Sequence, residues 1–307
     1  MTDLWIILDD MTVTLSTCDM SAHPKAGDMA SAARREFIEG VAVHFKGLQD
    51  RICASFESFE DTARFQETVW QRPTGDRLEG SGRMRIMRGK VFEKVGVNFS
   101  HVWGTLSDQG IAQLQGASES HGKFVATGIS LVAHMANPMV PIVHMNLRFM
   151  ATSKCWFGGG ADLTPTFPFA DDTAAFHAAM KEVCDKYSPE AYQEYKRWRD
   201  KYFYLPHRRE ARGVGGIFFD DLNSGDLERD FTFVRDVGTA FHHIYPQIVA
   251  RRQDVPFTEV DLQQLMIKRG RYVEFNLVYD RGTKFGFATD ANPDAYLMSM
   301  PPCAKWP

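Results

Sequence analysis

Polar and apolar side chains alternate in the stretch IVHMNLRFM, residues 142–150. Because a strand sends successive side chains to opposite faces, His144, Asn146 and Arg148 share one face and their apolar neighbours share the other. A guanidinium held on a strand offers paired hydrogen bonds to a carboxylate or a phosphate. An imidazole beside it can transfer a proton or bind a metal ion. The pattern predicts the wall of a binding cavity whose opposite face belongs to the core.

A second segment, residues 125–134, has the same alternation and turns Ser130 and His134 to one face. If MANPMVP joins the two segments as a hairpin, one concave surface receives polar side chains from both strands. These side chains are Ser130, His134, His144, Asn146 and Arg148. The alternative interpretation is the solvated outer face of an antiparallel sheet.

A pair of carboxylates, Asp220 and Asp221, stands at the end of GGIFFDDL. Strand alternation turns one of them inward, where it could act as a general base. The alternative is that one caps a turn while the other pairs with an arginine.

The stretch RYVEFNLVYD, residues 271–280, is interpreted as another strand, which turns Glu274, Asn276 and Asp280 to one face. Arg281 follows in the turn, and TKFGFAT (283–289) is predicted to pair with this strand.

Two more histidines, His177 and His207, would complete a set of four imidazoles with His134 and His144. The spacing contains no HxH or HExxH pattern, so structural roles are equally open for them. The three glycines of CWFGGGADLTP predict a tight strand bend beside a pocket, with Asp162 as a cap.

The elements that must position these residues follow from apolar periodicity. Steps of three and four residues between Phe37 and Phe56 predict an amphipathic helix. Further helices are predicted from Asp171 to Tyr187, over 189–202 and over 226–251. Strands are predicted at 65–70, 84–88, 91–103, 125–134, 141–151, 155–158, 215–222, 271–280 and 283–289. Clustered strands and grouped helices favour an α+β fold over alternating βαβ units.

Composition excludes several classes of protein. The chain has 307 residues, 44% of them apolar, and a net charge of −4, so no basic surface invites nucleic acid. Apolar runs fall short of the ~20 residues of a membrane span. Five scattered cysteines predict reduced thiols in a cytoplasmic protein. Residues 1–28 lack periodicity and predict a flexible tail before a single domain at 29–307.

Five long segments resemble the oxygen-dependent (aerobic) coproporphyrinogen III oxidase family, in the same order over residues 32–306. They are GVNFSHVWG, GISLVAHMANPMVPIVHMNLRF, WFGGGADLTP, YFYLPHRREARGVGGIFFDDL and GRYVEFNLVYDRGTKFG. The resemblance implies one α+β domain, with a large, mainly antiparallel β-sheet flanked by α-helices on both faces, assembled as a homodimer. It also implies oxidative decarboxylation of two propionates of coproporphyrinogen III to vinyl groups in heme biosynthesis. The products are protoporphyrinogen IX, CO2 and hydrogen peroxide, with O2 as co-substrate and no organic cofactor.

The resemblance also assigns roles residue by residue. Ser130 and the segment Asn146, Leu147 and Arg148 match substrate-contact positions, and His144 matches the proton donor. His134, His144, His177 and His207 match histidines of bacterial members that are held to bind a divalent cation. Asp220 or Asp221 and the pair Asp280 and Arg281 match positions that contact the pyrroles or propionates. We take Asp280 as the first choice for the pyrrole-facing carboxylate and Arg281 as a propionate partner.

Two departures from the family pattern affect these expectations. Relatives often have Gly-Gly-Arg where this chain has Asp290, Ala291 and Asn292, and many continue past the position of Trp306. Two other functions stay open: a non-heme iron oxygenase that uses two histidines and one carboxylate, and a non-catalytic tetrapyrrole carrier. Iron dependence identifies the first, and a carrier would release no CO2.

Overall fold

A seven-stranded antiparallel sheet forms the centre of the computed structural model, which describes residues 32–288 and 292–307. The strands are β1 Gln66–Arg72, β2 Leu78–Met87, β3 Lys94–Thr105, β4 Lys123–His134, β5 Ile142–Ala151, β6 Cys155–Thr164 and β9 Gly215–Leu222. They lie side by side in this order. Between β6 and β9 along the chain, β7 Tyr204–Leu205 and β8 Glu210–Ala211 form a separate two-stranded pair.

Helices cover both faces of the sheet. They are α1 Ala32–Glu57, α2 Asp108–Gln113, α3 Ala170–Tyr187, α4 Ala191–Tyr202, α5 Leu227–Arg252, α6 Glu259–Val278, α7 Arg281–Ala288 and α8 Pro293–Tyr296, followed by a 3-10 turn at Leu297–Ser299. The predicted α+β class is confirmed, as are the helix around Phe37–Phe56 and the antiparallel strands.

The first face of the sheet is the hydrophobic core. Met145 and Leu147 of β5 are fully buried and belong to one cluster with Phe45 of α1 and Phe241 of α5. Burial of such side chains contributes roughly 1.5–3 kcal/mol each, so this face supplies most of the stabilisation. The apolar half of the alternating pattern is therefore core, as predicted.

The second face is covered by the later part of the chain. Leu265 and Tyr272 of α6 pack on Val132 and Ile142 of the sheet. The segment after α7 covers β3 on this face, because the side-chain amide of Asn98 donates to the carbonyl of Ala295 at 2.8 Å. The Lys94 ammonium donates in the same way to the carbonyl of Met300. Polar groups of the sheet thus lie under a cover built from residues beyond 258.

The strand predicted at 271–280 is wrong, since these residues end α6, and the paired strand at 283–289 is wrong as well, since α7 spans Arg281–Ala288. A capping box starts α6: the Thr258 hydroxyl accepts from the amide of Asp261, and the Asp261 carboxylate accepts from the amide of Thr258. The buried positions of α6 recur at helical spacing, Leu265, Arg269, Tyr272 and Asn276. The alternation of apolar residues in RYVEFNLVYD masks this longer period.

The remaining expectations concern one strand, residues outside the described range, the cysteines and membrane spans. The strand predicted at 155–158 extends through Thr164. Residues 1–28, Asp290 and Ala291 lie outside the described residues, whereas Asn292 caps α8 with its side-chain oxygen. Among the cysteines, Cys53, Cys155, Cys184 and Cys303 are free. No helix in the described part of the chain is long and apolar enough to span a membrane.

Candidate active site

The hairpin of β4 and β5 brings the predicted polar residues together in rows across the sheet. Ser130 lies directly opposite Asn146, and the same row continues to Asn98 of β3 and to Gly160 of β6. Arg148 occupies the next row toward one end of the sheet, and His144 the row on the other side. All of these polar side chains are half-buried, as the wall of a cavity requires. Leu147 points into the opposite face, so only its backbone belongs to this wall.

Glycines leave room above the middle of this face. Gly128 and Gly158 flank Arg148 on the neighbouring strands, and Gly160 flanks Asn146. A Cβ at Gly158 would lie only 2.5 Å from a carboxylate oxygen of Asp220 and 2.7 Å from Nη2 of Arg148. Glycine is therefore required there so that the arginine and the aspartate can meet over the strand.

Two arginines share one carboxylate at this end of the face. Nη2 of Arg148 lies 2.7 Å from Oδ1 of Asp220, and Nη2 of Arg281 lies 3.3 Å from Oδ2. Both guanidiniums are partly exposed, with 29% and 59% of their side-chain surface open to solvent. The two guanidiniums have more N–H donors than the one carboxylate of Asp220 can accept, so donors remain for another ligand. Such a group attracts a further carboxylate.

Aromatic rings support this charged group from below. Tyr202 stacks on Phe218 with 4.5 Å between ring centroids and 7° between the ring planes. The guanidinium carbon of Arg281 lies 5.1 Å from the Tyr202 centroid, and that of Arg148 lies 5.9 Å from the Phe218 centroid. Cations at these distances are held by the negative faces of the rings. The stack therefore orients both arginines.

Asp280 lies beside this group, although not on a strand. Its Oδ1 accepts a hydrogen bond from the Tyr202 hydroxyl at 3.1 Å, and its Oδ2 accepts one from the amide of Thr283 at 2.7 Å. The second bond satisfies a free amide at the start of α7, as a helix cap does. The prediction that Asp280 shares a strand face with Glu274 and Asn276 is wrong, because all three belong to the α6–α7 region.

Asp221 follows Asp220 where the pairing register between β6 and β9 shifts. Its backbone has a φ of 53° at this irregularity, and its Oδ1 accepts a hydrogen bond from the side-chain amide of Gln115 at 2.8 Å. Partial burial, and next the charge of Asp220, raise the pKa of Asp221. Asp220 thus forms the ion pairs with the two arginines, whereas Asp221 is exposed and binds Gln115.

A buried ion network lies at the other end of the polar face. Nδ1 of His144 lies 2.8 Å from Oδ1 of Asp162, its direct neighbour on β6. Nη2 of Arg212 donates to both oxygens of Asp162, at 2.6 and 2.7 Å. Nη2 of Arg199 donates to Oδ2 at 3.5 Å. Asp162 therefore binds two arginines and fixes the orientation of the His144 ring through Nδ1, which leaves Nε2 outside this hydrogen bond.

The charge state of Asp162 follows from these partners. Its complete burial opposes ionisation, but the charge of Arg212 and the hydrogen bond from His144 outweigh burial and hold the pKa of Asp162 below its usual value. Arg212 lies over the ring of Phe203, with 3.9 Å from the guanidinium carbon to the centroid. The sequence reasoning assigned Asp162 only a cap and missed Arg212 and Arg199. Strand pairing could have identified Asp162, because extending the strand predicted at 155–158 through the glycines puts Asp162 opposite His144.

The four histidines predicted to bind a metal ion each have protein partners, in separate surroundings. His134 is fully buried, with Nε2 at 2.8 Å from the carbonyl of Ser299, and burial lowers the pKa of His134 to about 3. His177 contacts the Tyr192 hydroxyl and the carbonyl of Val214. Nε2 of His207 lies 2.7 Å from Oε2 of Glu274.

No three His, Cys, Asp or Glu side chains within residues 32–288 and 292–307 are grouped so that they could hold a metal ion. The donor set therefore does not fit one metal ion bound by these four imidazoles.

Comparison with known proteins identifies the family. Residues 40–307 match the family model described as Coproporphyrinogen III oxidase. An oxygen-dependent coproporphyrinogen-III oxidase of Rickettsia bellii (strain RML369-C) is 52% identical over 271 residues, which cover 85% of this chain and 95% of that protein. The proteins of the same name from Rickettsia akari (strain Hartford) and Rickettsia africae (strain ESF-5) are 51% identical, with the same shares covered. The chain belongs to the coproporphyrinogen III oxidase family.

Proposed function

We propose that this member of the family is the oxygen-dependent oxidoreductase that converts coproporphyrinogen III to protoporphyrinogen IX in heme biosynthesis. Each of two propionate side chains loses its carboxylate as CO2 and a hydride equivalent from its β-carbon, which leaves a vinyl group. O2 accepts the two electrons and becomes hydrogen peroxide after protonation. Because the reduced tetrapyrrole supplies the electrons, the reaction needs no flavin or heme.

The observation that carries this proposal is the group of Arg148, Arg281 and Asp220 at one end of a glycine-lined face. The N–H donors of its two guanidiniums that Asp220 leaves unused suit the propionates of a tetra-carboxylate substrate. Asn98, Ser130 and the neighbouring glycines leave a polar floor on which a flexible ring system can lie. The side-chain oxygen of Asn146 is buried and has no hydrogen-bond partner among the described residues. It can therefore accept a hydrogen bond from a bound ligand.

We assign proton transfer to His144. Asp162 holds Nδ1 of His144, so that Nε2 can deliver the proton that completes hydrogen peroxide. Arg212 keeps Asp162 ionised and therefore acts through Asp162 rather than on the substrate. Ser130, Asn146 and the backbone of Leu147 would bind and orient the ring system.

We keep Asp280 as the pyrrole-facing carboxylate and Arg281 as the propionate partner. The hydroxyl of Tyr202 links Asp280 to the ring stack beneath the two arginines, which supports its place near the substrate. Asp220 is assigned to holding the arginines, and Asp221 is the second choice for the pyrrole. Asp280→Asn keeps the size of the side chain, so kcat should fall sharply while substrate binding persists. Normal turnover in this variant beside an inactive Asp221→Asn would move the role to Asp221.

We also infer a homodimer in the cytoplasm. Among the described strands, β1 is at the edge of the sheet and pairs on one side only, and its Val69 is 64% exposed. Exposed edges and apolar side chains of this kind favour pairing with a second copy. Analytical ultracentrifugation measures the mass directly, and a monomer at micromolar concentration would contradict the inference.

One assay tests the proposed activity against the alternatives. Purified, chelator-treated protein is mixed with coproporphyrinogen III in air, and the porphyrins are separated after oxidation while CO2 is measured. We expect vinyl products and two CO2 per substrate, and none of either without O2. Binding without CO2 release would identify a carrier. Activity that returns only with added iron would identify a non-heme iron oxygenase.

A further inference from the structure

A cavity separate from the candidate active site opens beside α6. Its volume is about 190 Å³, and it lies between the segment after β6, strand β8 and α6. The lining residues are Thr166, Phe167, Glu210, Gln264, Ile267, Lys268 and Arg271. On the paired strands, Thr164 lies opposite Ile142 whereas Gly158 lies opposite Arg148, so the cavity and the Arg148 group are at opposite ends of the sheet.

Two polar groups in this cavity lack partners. The hydroxyl oxygen of Thr166 is buried and makes no hydrogen bond among the described residues. Lys268 is half-buried, and its ammonium makes no hydrogen bond or ion pair with another described residue. An unpaired buried hydroxyl is destabilising because it has lost its hydrogen bonds to water, and an unpaired, partly buried cation also loses hydration. Both costs are removed when a ligand oxygen with negative charge occupies the cavity.

The charges around the cavity also leave Lys268 unbalanced. Nε of Arg271 lies 3.6 Å from Glu210, and Nη1 of Arg271 lies 3.1 Å from Glu274, so this arginine is fully paired. Arg199 and Arg212, which lie behind the cavity, are both paired with Asp162. Glu210, on β8, is the single carboxylate among the lining residues; its ion pair is with Arg271, and its charge acts on Lys268 only at a distance.

We propose that this cavity binds a small oxyanion, either a carboxylate or a tetrahedral anion such as phosphate. Lys268 supplies the positive charge and the Thr166 hydroxyl donates a hydrogen bond, while the side-chain amide of Gln264 at the rim can donate another. The site is distinct from the propionate-binding arginines and takes a ligand other than the tetrapyrrole ring. Its occupant bridges α6 to the segment after β6 and therefore stabilises the cover of the polar face.

The electrostatic surroundings support the proposal. Burial lowers the pKa of Lys268; Glu210 opposes this shift, and Arg199, Arg271 and Arg212 add to it. A bound anion stabilises the charged form of a lysine in such surroundings, because its negative charge attracts the ammonium.

Sulfate is a suitable probe because its charge does not change between pH 5 and 9. We expect saturable binding by isothermal titration calorimetry at constant ionic strength, with chloride as the reference anion. Lys268→Met, which keeps much of the side-chain length, should weaken sulfate binding about tenfold or more, while Lys268→Arg retains it. Lys123→Met is the matched control, since Lys123 is an exposed lysine at the far end of the sheet. Acetate and phosphate in parallel titrations distinguish a carboxylate ligand from a tetrahedral one.

Two results would overturn the proposal. Sulfate, phosphate and acetate that all bind no better than chloride would show that the cavity holds water only. Binding that survives in Lys268→Met and is lost in Arg148→Ala would show that the anion occupies the propionate site instead. Melting temperatures of the variants without added anion exclude misfolding as the cause of lost binding.

Discussion

At the scale of single residues, the environment decides which of several chemically able side chains can act. His134 and His144 lie on the same face by alternation, yet His134 is fully buried under Ser299 while His144 stays partly exposed. The sequence identified both as candidates because it shows type and spacing. It could not separate them, since burial depends on residues more than 150 positions away along the chain.

Arg148 is the residue for which substrate binding is most directly testable. Arg148→Ala should lower kcat/KM about 30-fold, because a hydrogen bond to a charged group contributes about 2 kcal/mol. Arg148→Lys should restore only part of this loss, since the planar fork is absent. Steady-state kinetics with coproporphyrinogen III measure both variants.

The exposed Arg64 provides the matched control, and Arg64→Ala should leave kinetics unchanged. Unaltered kcat/KM in Arg148→Ala would remove this residue from the substrate site.

His134 should make folding stability depend on pH. Burial lowers its pKa from 6.5 to about 3, so between these values the unfolded chain binds a proton that the folded chain does not. The free energy of unfolding should therefore decrease by about 1.4 kcal/mol for each pH unit below 6.5 through this residue alone. His134→Gln keeps a donor for the Ser299 carbonyl and should remove that part of the slope.

Urea unfolding at pH 6, 5 and 4 gives the slopes. His243→Gln changes an exposed histidine and should keep the wild-type slope. Equal slopes in wild type and His134→Gln would mean that His134 titrates normally in the folded protein.

At the scale of secondary structure elements, the alternation of polar and apolar residues predicted a strand correctly where both of its faces carry side chains. It did not do so for β6 or α6. In β5 it identified the core face and the polar face correctly. In β6 the glycines at 158–160 hide the alternation, so the strand was predicted too short and Asp162 was missed. In α6 the apolar residues of 271–280 alternate by chance, and the capping box that begins the helix lies 13 residues before this stretch at Thr258.

Substitution of Gly158 tests whether β6 must lack a side chain beneath the arginines. Gly158→Ala adds a methyl group 2.5 Å from Asp220 and 2.7 Å from Arg148, so their ion pair must move. We expect a clear loss of kcat/KM with a smaller loss of stability, because the strand itself can accept alanine. Activity and melting temperature are measured on the same preparation.

Gly40→Ala is the control, because nothing lies within 4 Å of the added Cβ and a helical alanine is favoured over glycine by roughly 1 kcal/mol. This variant should be fully active and slightly more stable. Full activity in Gly158→Ala would contradict the close packing of the Arg148 group.

At the scale of the whole molecule, the chain builds the protein in two parts. Residues 38–249 form the main hydrophobic cluster, which joins the first face of the sheet to α1, α3 and α5. Residues beyond 258 then cover the polar face through Leu265, Tyr272 and the segment around Met298. The core therefore supports the sheet, and the last part of the chain defines the space above it.

This division predicts opposite results from shortening the two ends of the chain. Residues 1–28 lie outside the described part, and the family match begins at residue 40, so a chain that starts at Met29 should keep its melting temperature, mass and turnover. A chain that ends at residue 292 loses the carbonyls that bind Lys94, Asn98 and His134. Three polar groups on the sheet then lack partners, and at about 1–3 kcal/mol each the protein should be much less stable. Calorimetry, ultracentrifugation and the oxidase assay compare both chains with the full one, and a large loss of stability on starting at Met29 would mean that the first residues pack on the body.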